Sequence, residues 1–498
     1  MARLSAPSAY RFVLSVVLHL GFAASLSVGQ SALAVLPDEG DCPLVSGGRP
    51  SPSTGEDAAR DAAPLLLKEG MIIDEQSLLM LKRLFPNEIW RHREIFFHEG
   101  MRMEIGPCHR RYVVPDFFIK ASQKFAGEPS LDKKGNLENY RVGVPFPPGQ
   151  IHPDDEDAAI RWAWNLEKRF RGAGHKGRFR VVDYPTSLGS IETYEGNFFL
   201  LKTTSRADLA SDGYQVKGSS DRSFAAGGEF SKPFAARHLA WRQFRPQSVD
   251  EKYDRQDDTF VYVPTMRKVR RASTGWVDGV YFPSSAFSGD SAGGGIPFGD
   301  PTTGGGSISP NAGRSAAATM HNTHGMTGLS LRPNAYVWRM KGERDVLALI
   351  NSTARGWPND PQRNFGYSGL SFASDRWDVR WAVVIEGALR ERNETQWTVT
   401  IYLDYQTLQP LYWITRTDKR RLLEIGVLAH RFTGDVFDYP EWPGGVQATV
   451  FEPVAAAFYN ALAGRGGWRR ESFDLRSVPF SDGERRSMTS ADSLVRGN

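Results

Sequence analysis

The sequence predicts an α+β protein in which a mainly helical N-terminal region precedes a large antiparallel sheet. Before about residue 178, apolar residues recur at helical spacing, whereas after it the period changes to two. The later apolar runs are rich in β-branched and aromatic residues and are separated by turn residues. Nine such runs follow one another at short spacing with few helices between them, which favours antiparallel pairing.

Three stretches carry the helical pattern. SLLMLKRLF repeats apolar residues at helical spacing, and Pro86 then opens NEIWRHREIFF at a position where proline is tolerated. The third stretch, DDEDAAIRWAWNLEKRFRG, has acidic residues 154–157 in its first turn and basic residues in its last turn, which complement the helix dipole. Its predicted buried face consists of Ala159, Trp162, Ala163, Leu166 and Phe170.

The strand region shows one clear hairpin and one interruption. WTVTIYLDYQTLQPLYWITRT reads as two alternating arms around a turn at Tyr405–Leu408. A Gly/Ser-rich insert near residues 285–330 is predicted to be an extended loop. We therefore divide the chain into a signal peptide (1–34), a flexible leader (35–66), a mainly helical region (67–177), an antiparallel β region (178–468) and a polar, frayed tail (469–498).

The N-terminus has the three parts of a secretory signal peptide. Arg3 and Arg11 precede the apolar run FVLSVVLHLGFAASLSV, and Ala32-Leu33-Ala34 supplies a small-x-small exit, so we expect cleavage after Ala34. A retained membrane anchor is the alternative, but the run is short and is broken by a histidine and a glycine. The sequence predicts an exported protein.

Cysteine content and charge limit the remaining possibilities. Cys42 and Cys108 are the only two cysteines, and in an oxidising compartment they are a candidate disulfide, although two unpaired thiols are also compatible with the sequence. Two cysteines alone do not make a structural zinc site, and we predict no metal. The net charge of +4 is small for a chain with 24% charged residues, so we expect no nucleic-acid partner.

A serine-hydrolase motif occurs at Gly289–Gly293, where GDSAG fits G-x-S-x-G with Ser291 as the nucleophile. The context does not fit, because a poor strand containing Pro283 precedes the serine and three glycines with Ile-Pro follow it instead of a helix. His321 and His324 form H-x-x-H without a helix that would make the two rings converge. We predict no catalytic residue and no cofactor.

One segment combines aromatic and basic residues, DDTFVYVPTMRKVRRAS. By alternation, Phe260 and Tyr262 share one face of its first arm, and the two intervening valines share the other. The second arm carries four cations, which fit either a solvated sheet edge or a docking patch for an anionic headgroup or a partner. These four residues are Arg267, Lys268, Arg270 and Arg271.

The same segment carries a family resemblance. FVYVPTMRKVRRAS at 260–273 resembles a strand pair of the LolA-like outer-membrane lipoprotein-sorting superfamily, and NYRVGVPFP at 139–147 and NAYVWRMKG at 334–342 resemble its larger periplasmic members. These members form the family of unknown function named DUF1329, and the resemblance covers roughly residues 85–460. The Gly/Ser insert is a departure, since it is longer than the family pattern.

The resemblance implies a curved sheet, an unclosed LolA/LolB-like barrel, that covers helices and leaves an apolar concavity. It implies a periplasmic carrier of a lipid or another acyl-chain ligand in the Gram-negative envelope, with an inner-membrane transporter or an outer-membrane acceptor as partner. It brings no catalytic residue. Two alternatives stay open: a secreted serine hydrolase that uses Ser291, and a non-catalytic structural envelope protein.

Candidates for lining such a concavity are the large apolar residues of the predicted strands. Plain core packing is the alternative for each of them. They are Phe260, Tyr262, Trp338, Trp381, Ile385, Tyr402 and Trp413.

Overall fold

The computed structural model describes most of the chain from residue 67 to residue 496. The described ranges are 67–184, 191–219, 221–272, 280, 282, 328–354, 365–390, 397–417, 419–442, 445–447, 449–461 and 467–496. The predicted signal peptide, the leader with Cys42, Ser291, His321 and His324 lie outside the described residues. No described helix has the length and apolar character needed to cross a membrane.

Strands dominate the described part of the chain. In chain order they are β1 Ile72–Ile73, β2 Met103–Cys108, β3 Ser130–Leu131, β4 Leu137–Glu138, β5 Gly174–Tyr184, β6 Glu192–Lys202, β7 Arg222–Lys232, β8 Ala240–Pro246, β9 Asp258–Val263, β10 Lys268–Ala272, β11 Tyr336–Ala348, β12 Arg376–Leu389, β13 Trp397–Asp404, β14 Pro410–Thr417, β15 Leu422–Phe432, β16 Phe451–Asn460 and β17 Trp468–Arg476.

The described helices are short and lie mostly at the two ends of the chain. They are α1 Asn87–Arg91, α2 Arg93–Phe96, α3 Asp116–Lys124, α4 Ala158–Lys168, α5 Asp482–Met488 and α6 Ser493–Arg496. SLLMLKRLF, predicted to be helical, forms a 3-10 helix at Leu78–Leu84, and Pro86 stands directly before α1 as predicted.

One mixed sheet of 15 strands holds the molecule together, and β3 pairs with β4 in a separate two-stranded sheet. From β12 the pairing runs through β13, β14, β15, β16, β17, β5, β6, β7, β8 and β9 to β10, and every one of these neighbours is antiparallel. β11 pairs with β12 along nearly its whole length, and β2 joins β12 in parallel at its first residues. The predicted α+β fold with an open sheet is confirmed.

The sheet curves until its far ends approach each other. Arg332, directly before the β11 end of the sheet, places its Nη2 2.7 Å from Oδ1 of Asp257, directly before β9 near the other end. Asp257 also accepts from Nη2 of Arg245 in β8 at 3.0 Å. Side chains therefore bridge the seam between the two ends, where a closed barrel would have backbone hydrogen bonds.

The two faces of the sheet carry different cores. We call one the α4 face, since α4 packs there against β11 and β12. We call the other the opposite face. Between the seam and β15, the 3-10 helix at Leu78–Leu84 with α1 and α2 covers the opposite face, and α3 covers part of it over β6 and β7. Each side of this sheet is therefore covered over much of its area.

α4 is buried almost all round. The predicted apolar face is confirmed, because Ala159, Trp162, Ala163 and Leu166 are buried, as is Phe170 beyond the helix end. The remaining side of the helix is buried as well, and Nε1 of Trp164 donates to the carbonyl of Gly135 at 3.0 Å. A helix enclosed in this way acts as the core around which the sheet bends.

Two predictions about the division of the chain need correction. The tail 469–498 is not frayed: β17 lies between β16 and β5, and Leu494 of α6 is buried. Charged residues there suggested a solvated tail, but Arg469 and Glu471 are buried and paired at 2.9 Å. The region 67–177 is not separate from the sheet, because β2 and the first residues of β5 belong to it. Most of the Gly/Ser insert lies outside the described residues, and at its end Ser330 is buried and donates to Glu167.

Candidate functional site

An open groove of about 700 Å³ lies on the opposite face, between strands β5–β9 and the C-terminal segment 476–494. We call it the C-terminal groove. Its volume falls within the range of about 300–1,000 Å³ that small-molecule sites occupy. Its lining residues come from these two components and from a short segment at 440–441. They are Lys176, Gly177, Asn197, Phe198, Phe199, Gly228, Glu229, His238, Ala240, Arg242, Tyr262, Pro440, Glu441, Arg476, Val478, Pro479, Ser487, Met488, Ser493 and Leu494.

Small residues on the strands leave room in the groove. Gly227 points to this face because it pairs with Phe199 and Arg242, and Ala240 points to it because it pairs with Tyr262. A Cβ added to Gly227 would collide with the carbonyl oxygen of Trp241 and would press on the side chains of Arg242 and Phe199. Glycine is therefore required there by the close approach of β6 and β8, and its lack of a side chain leaves space beside Phe199 and Arg242.

Apolar side chains form the walls. Tyr262 packs with Ala240 and Leu494 in a small cluster of buried residues, so that α6 closes one side of the groove. Phe199 of β6 is buried in the floor, and Val478 and Met488 are half-buried along the C-terminal segment. The walls thus offer continuous apolar surface to a guest.

Charged groups stand among these walls. Nζ of Lys176 in β5 lies 2.6 Å from Oε1 of Glu484 in α5, which ties the C-terminal segment to the strands. Arg242 lies with its guanidinium carbon 5.0 Å from the centre of the Phe199 ring. Burial lowers the pKa of Arg242 to about 10, so that it remains a cation at neutral pH. Its Nε is buried without a hydrogen-bond partner among the described residues.

The groove suits binding better than catalysis by its residue types. Nδ1 of His238 and Oε1 of Glu229 lie 2.9 Å apart at the rim and are both about half exposed. Among the described residues, no group of three or more His, Cys, Asp or Glu side chains is placed to hold a metal ion. What the arrangement offers a ligand is apolar surface beside a half-buried guanidinium.

The structure does not bring the seven predicted lining residues together. Tyr262 lines the C-terminal groove, and Phe260 shares its face of β9 but lies outside the groove lining. Tyr402 is buried on the opposite face in the core made with the N-terminal elements. The other four pack against α4 on the α4 face: Trp338, Trp381, Ile385 and Trp413.

The apolar concavity that the resemblance implied is occupied in the described structure. α4 and residues 331–338 fill the space where β12–β14 face the helix, which is why the four residues there are core residues. A cavity of about 20 Å³ lies further along this face, beside Arg169 and His430. That volume is too small for an acyl chain. The lining role of these four residues stays a prediction.

The predicted basic arm forms β10, at the edge of the sheet beside the groove. Arg267, Lys268 and Arg271 are exposed, and Arg271 pairs with Asp258 of β9. Val269, on the same strand, packs towards the cluster around Leu494. The docking role of this arm stays a prediction, as does the disulfide, for which the structure shows that Cys108 is buried at the end of β2.

Sequence reasoning missed most of the groove residues because they come from five strands and from a segment predicted to fray. Arg242 lies in AWRQFRP, which was not among the predicted strands. The signal that could have found it is alternation, since Trp241, Gln243 and Arg245 point to one face and Ala240 and Arg242 to the other.

A family model and several solved structures are similar to parts of this chain. Residues 93–293 match the model of the family described as "Protein of unknown function (DUF1329)", which confirms over that part of the chain the resemblance predicted from the sequence. No curated protein matches the chain.

Solved structures with a related fold are distant. A DUF1329 family protein from Desulfovibrio piger shares 12% identity over 68% of this chain and 99% of its own, with a TM-score of 0.38. A protein described as an outer membrane lipoprotein-sorting protein domain, from Vibrio parahaemolyticus, shares 14% over 69% and 100%, with a TM-score of 0.36. A LolA superfamily protein from Nitrosomonas europaea shares 10% over 65% and 93%, with a TM-score of 0.30. Such a likeness says nothing about the ligand of this chain.

Proposed function

We propose that this protein is an exported carrier of a lipid or another acyl-chain ligand, and that the C-terminal groove holds the chain. The observation that carries the proposal is the groove itself, an open space of about 700 Å³ with apolar walls at Phe199, Tyr262 and Leu494. Export, a periplasmic location, and an inner-membrane transporter or outer-membrane acceptor as partner belong to the same proposal, on the basis of the N-terminal sequence and the family resemblance.

The energetics suit an acyl chain. Burial of each methylene contributes about 0.8 kcal/mol, so a chain of roughly 14 methylenes gains on the order of 11 kcal/mol before the costs of association. That gain needs apolar surface that the protein has not already used in its own core. The walls of the groove supply such surface, whereas the aromatic residues on the α4 face are already in contact with α4.

Arg242 gives the proposed site a place for an anionic headgroup. A carboxylate or phosphate beside it would pair with the positive charge of the half-buried guanidinium. The acyl chain would then run from Arg242 and Phe199 towards Tyr262 and α6. Replacement of Arg242 by Met should weaken palmitate binding more than binding of the neutral analogue hexadecanol.

Ligand loading tests the proposal. The full chain is stripped of lipid by unfolding and refolding, and binding of palmitate and of a lysophosphatidylcholine is measured by native mass spectrometry and by displacement of a fluorescent fatty acid. We expect one bound molecule per chain. Failure of every probe to bind the folded wild-type protein would contradict the proposal.

A substitution that fills the groove tests whether the ligand binds there. Ala240→Trp inserts a large ring between Tyr262 and Leu494 and should lower affinity at least about tenfold. Ala126→Trp is the matched control, because Ala126 is exposed and lies outside the groove lining. Equal loss in both variants, or none in either, would place the ligand elsewhere.

The structural envelope protein is a second candidate, favoured by the packing of Trp338, Ile385 and Trp413 into the core against α4. It predicts no bound molecule in native mass spectra of protein isolated from its own envelope. The serine-hydrolase alternative has no structural observation in its favour, and stoichiometric labelling of Ser291 by a fluorophosphonate would be needed to support it.

A further inference from the structure

A small polar cavity lies at the C-terminal end of α4, on the face of the sheet away from the C-terminal groove. Its volume is about 20 Å³, and its polar lining consists of Arg169, Arg171, His175, Gln409 and His430. A single water molecule needs roughly 10–15 Å³ of such space. The cavity therefore has room for one guest of atomic size, and not for a carboxylate or a phosphate.

Arg171 offers unused hydrogen-bond donors beside this cavity. Its side chain is 4% exposed, and its Nη2 donates to the carbonyl of Glu167 at 3.0 Å. Its Nε and Nη1 are buried and have no partner among the described residues. Buried guanidinium donors are nearly always satisfied in folded proteins, so these two atoms indicate a missing acceptor.

His430 adds a third donor. His430 lines the same cavity, and its Nδ1 is buried and also has no partner among the described residues. Burial lowers the pKa of His430 to about 3, so the ring is neutral at neutral pH and can carry its proton on Nδ1. Burial lowers the pKa of His175 to about 3 as well, and its Nδ1 lies 2.6 Å from Oγ of Ser477. Neither ring adds charge to the cavity.

The charges around the cavity do not balance. Arg169 donates to Oε1 of Gln409 at 2.9 Å, to the carbonyl of Leu166 at 2.6 Å and to the carbonyl of Gly328, all of which are neutral acceptors. Oε1 of Glu167 lies 3.5 Å from Nη2 of Arg171. Two buried guanidinium groups therefore share one carboxylate.

The nearby carboxylates are already committed elsewhere. Asp250 is 2.5 Å from Nζ of Lys168, and Asp404 is 2.7 Å from Nε of Arg380. The carbonyls at the end of α4 contribute about half a negative charge, which offsets only part of the excess. An uncompensated charge in a protein interior is strongly unfavourable, so a compensating anion would be stabilised there.

We infer that this cavity binds one halide ion, such as chloride, between Arg171 and His430. The ion accepts hydrogen bonds from Nε and Nη1 of Arg171 and from Nδ1–H of His430. It balances the second guanidinium and holds the end of α4 against β15 and β16. The inference is independent of the proposed carrier function, because the cavity and the groove lie on different faces of the sheet and share no lining residue.

Halide-dependent stability tests the inference in solution. Thermal unfolding of the full chain is followed at constant ionic strength while gluconate is replaced by chloride or bromide. We expect the wild-type Tm to rise with the logarithm of the halide concentration, as mass action requires for a ligand of the folded state. Arg171→Met should abolish this rise, and its Tm without halide should equal or exceed that of the wild type.

Arg178→Met is the matched control. It also replaces an arginine by methionine, but the side chain of Arg178, on β5, is 52% exposed. It should keep the wild-type halide response. The same response in all three proteins would overturn the inference, because it would reflect a general salt effect on the surface.

Crystals grown in bromide give a direct readout that does not depend on the folding of a variant. An anomalous bromide peak beside Arg171 and His430 would support the site. A water molecule there, or no density, at a bromide concentration high enough to label exposed sites would overturn it.

Discussion

Adjacent residues of β8 serve two different regions of the molecule. Trp241, Gln243 and Arg245 point to the α4 face and are almost completely buried, and the polar ones are in contact with Asp257. Ala240 and Arg242 alternate to the opposite face and line the C-terminal groove. β8 thus contributes large, paired side chains to a closed core. To the open groove it contributes the small side chain of Ala240 and the partly hydrogen-bonded guanidinium of Arg242.

This difference shows where function can be sought in such a sheet. On the α4 face, space is filled by a helix and charge is mostly neutralised by neighbouring side chains, so changes there should affect stability. In the groove, space and donors remain available, so changes there should affect binding. Substitutions in the two regions test this division.

Asp257→Asn should destabilise the protein most. Burial would raise the pKa of Asp257, but Arg245 and Arg332 outweigh it and hold the pKa below its usual value, so the carboxylate is charged. Loss of that charge leaves two buried guanidinium groups without a counterion at the seam of the sheet. We expect the free energy of unfolding to fall by about 3–5 kcal/mol, measured by urea denaturation.

Asp258→Asn is the control for this experiment. Its carboxylate is adjacent in sequence but is 42% exposed and pairs with Arg271 at the surface. The expected change is at most about 1 kcal/mol. Similar losses in the two variants would mean that the seam does not depend on the buried pair.

Glu424→Gln should change the pH dependence of stability. Burial raises the pKa of Glu424 to about 7 from 4.5, with Glu471 and Asp183 acting in the same direction and Arg469 against it. Because the folded state holds this proton more tightly than the unfolded state, wild-type stability falls as the pH rises from about 4.5 to 7. The free energy of unfolding of the variant does not fall in this way. Relative to the wild type, it should therefore rise by up to roughly 3 kcal/mol between about pH 4.5 and pH 7.

Urea denaturation of both proteins at a series of pH values measures this difference directly. The difference should be smallest at pH 4 and level off above about pH 7. Tyr402 of β13 is buried but uncharged and gives a control: Tyr402→Phe should shift stability by the same amount at every pH below the titration of tyrosine. A pH-independent difference for Glu424→Gln would contradict the prediction.

Tyr262→Ala should affect ligand binding more than stability. Its ring forms a wall of the groove, so its removal should weaken palmitate binding about tenfold, or about 1.4 kcal/mol. Phe260→Ala is the control, because Phe260 lies on the same face of the same strand but outside the groove lining. Displacement of a fluorescent fatty acid measures both, and a larger loss for Phe260→Ala would move the site along β9.

Lys176→Met should have the smallest effect on stability. The pair with Glu484 is partly exposed, with 27% and 35% of the two side chains accessible, so its loss should cost less than about 1 kcal/mol. Ligand exchange should become faster, because the pair ties the C-terminal segment over the groove. Stopped-flow release of a fluorescent fatty acid measures this rate, and Arg178→Met, which breaks a pair with Asp474 on β17, should leave it unchanged.

The antiparallel strands could be predicted where residue types and alternation agree. The hairpin of β13 and β14 has alternating β-branched and aromatic residues around Tyr405–Leu408, and the structure confirms it. β7 was missed because AAGG has little strand propensity on its own, although close approach to β6 and β8 requires the glycines. β16 was missed for a similar reason, since alanines buried on both faces show no alternation and Pro453 stands at a register shift.

The site was harder to predict than the fold. Large aromatic residues on strands are equally suited to core and to ligand, and the helix that decides between these roles for Trp338 and Trp413 lies some 170 residues or more away in the sequence. In the sequence, Arg169 and Arg171 are basic residues at the end of a predicted helix, where they complement the helix dipole. Only the packing of β15 and β16 around them shows that they are buried.

The position of β17 has a consequence for how the chain reaches its native state. β17 spans residues 468–476, yet it provides the pairing between β16 and β5, whose register joins Arg476 to Lys176. Until this strand is available, β5–β10 and β11–β16 are two half-sheets with unpaired edges, and such long-range closure is slow. The native topology can therefore form only after residue 476 has been synthesised, and until then the edges of the two half-sheets lack their native partner strand.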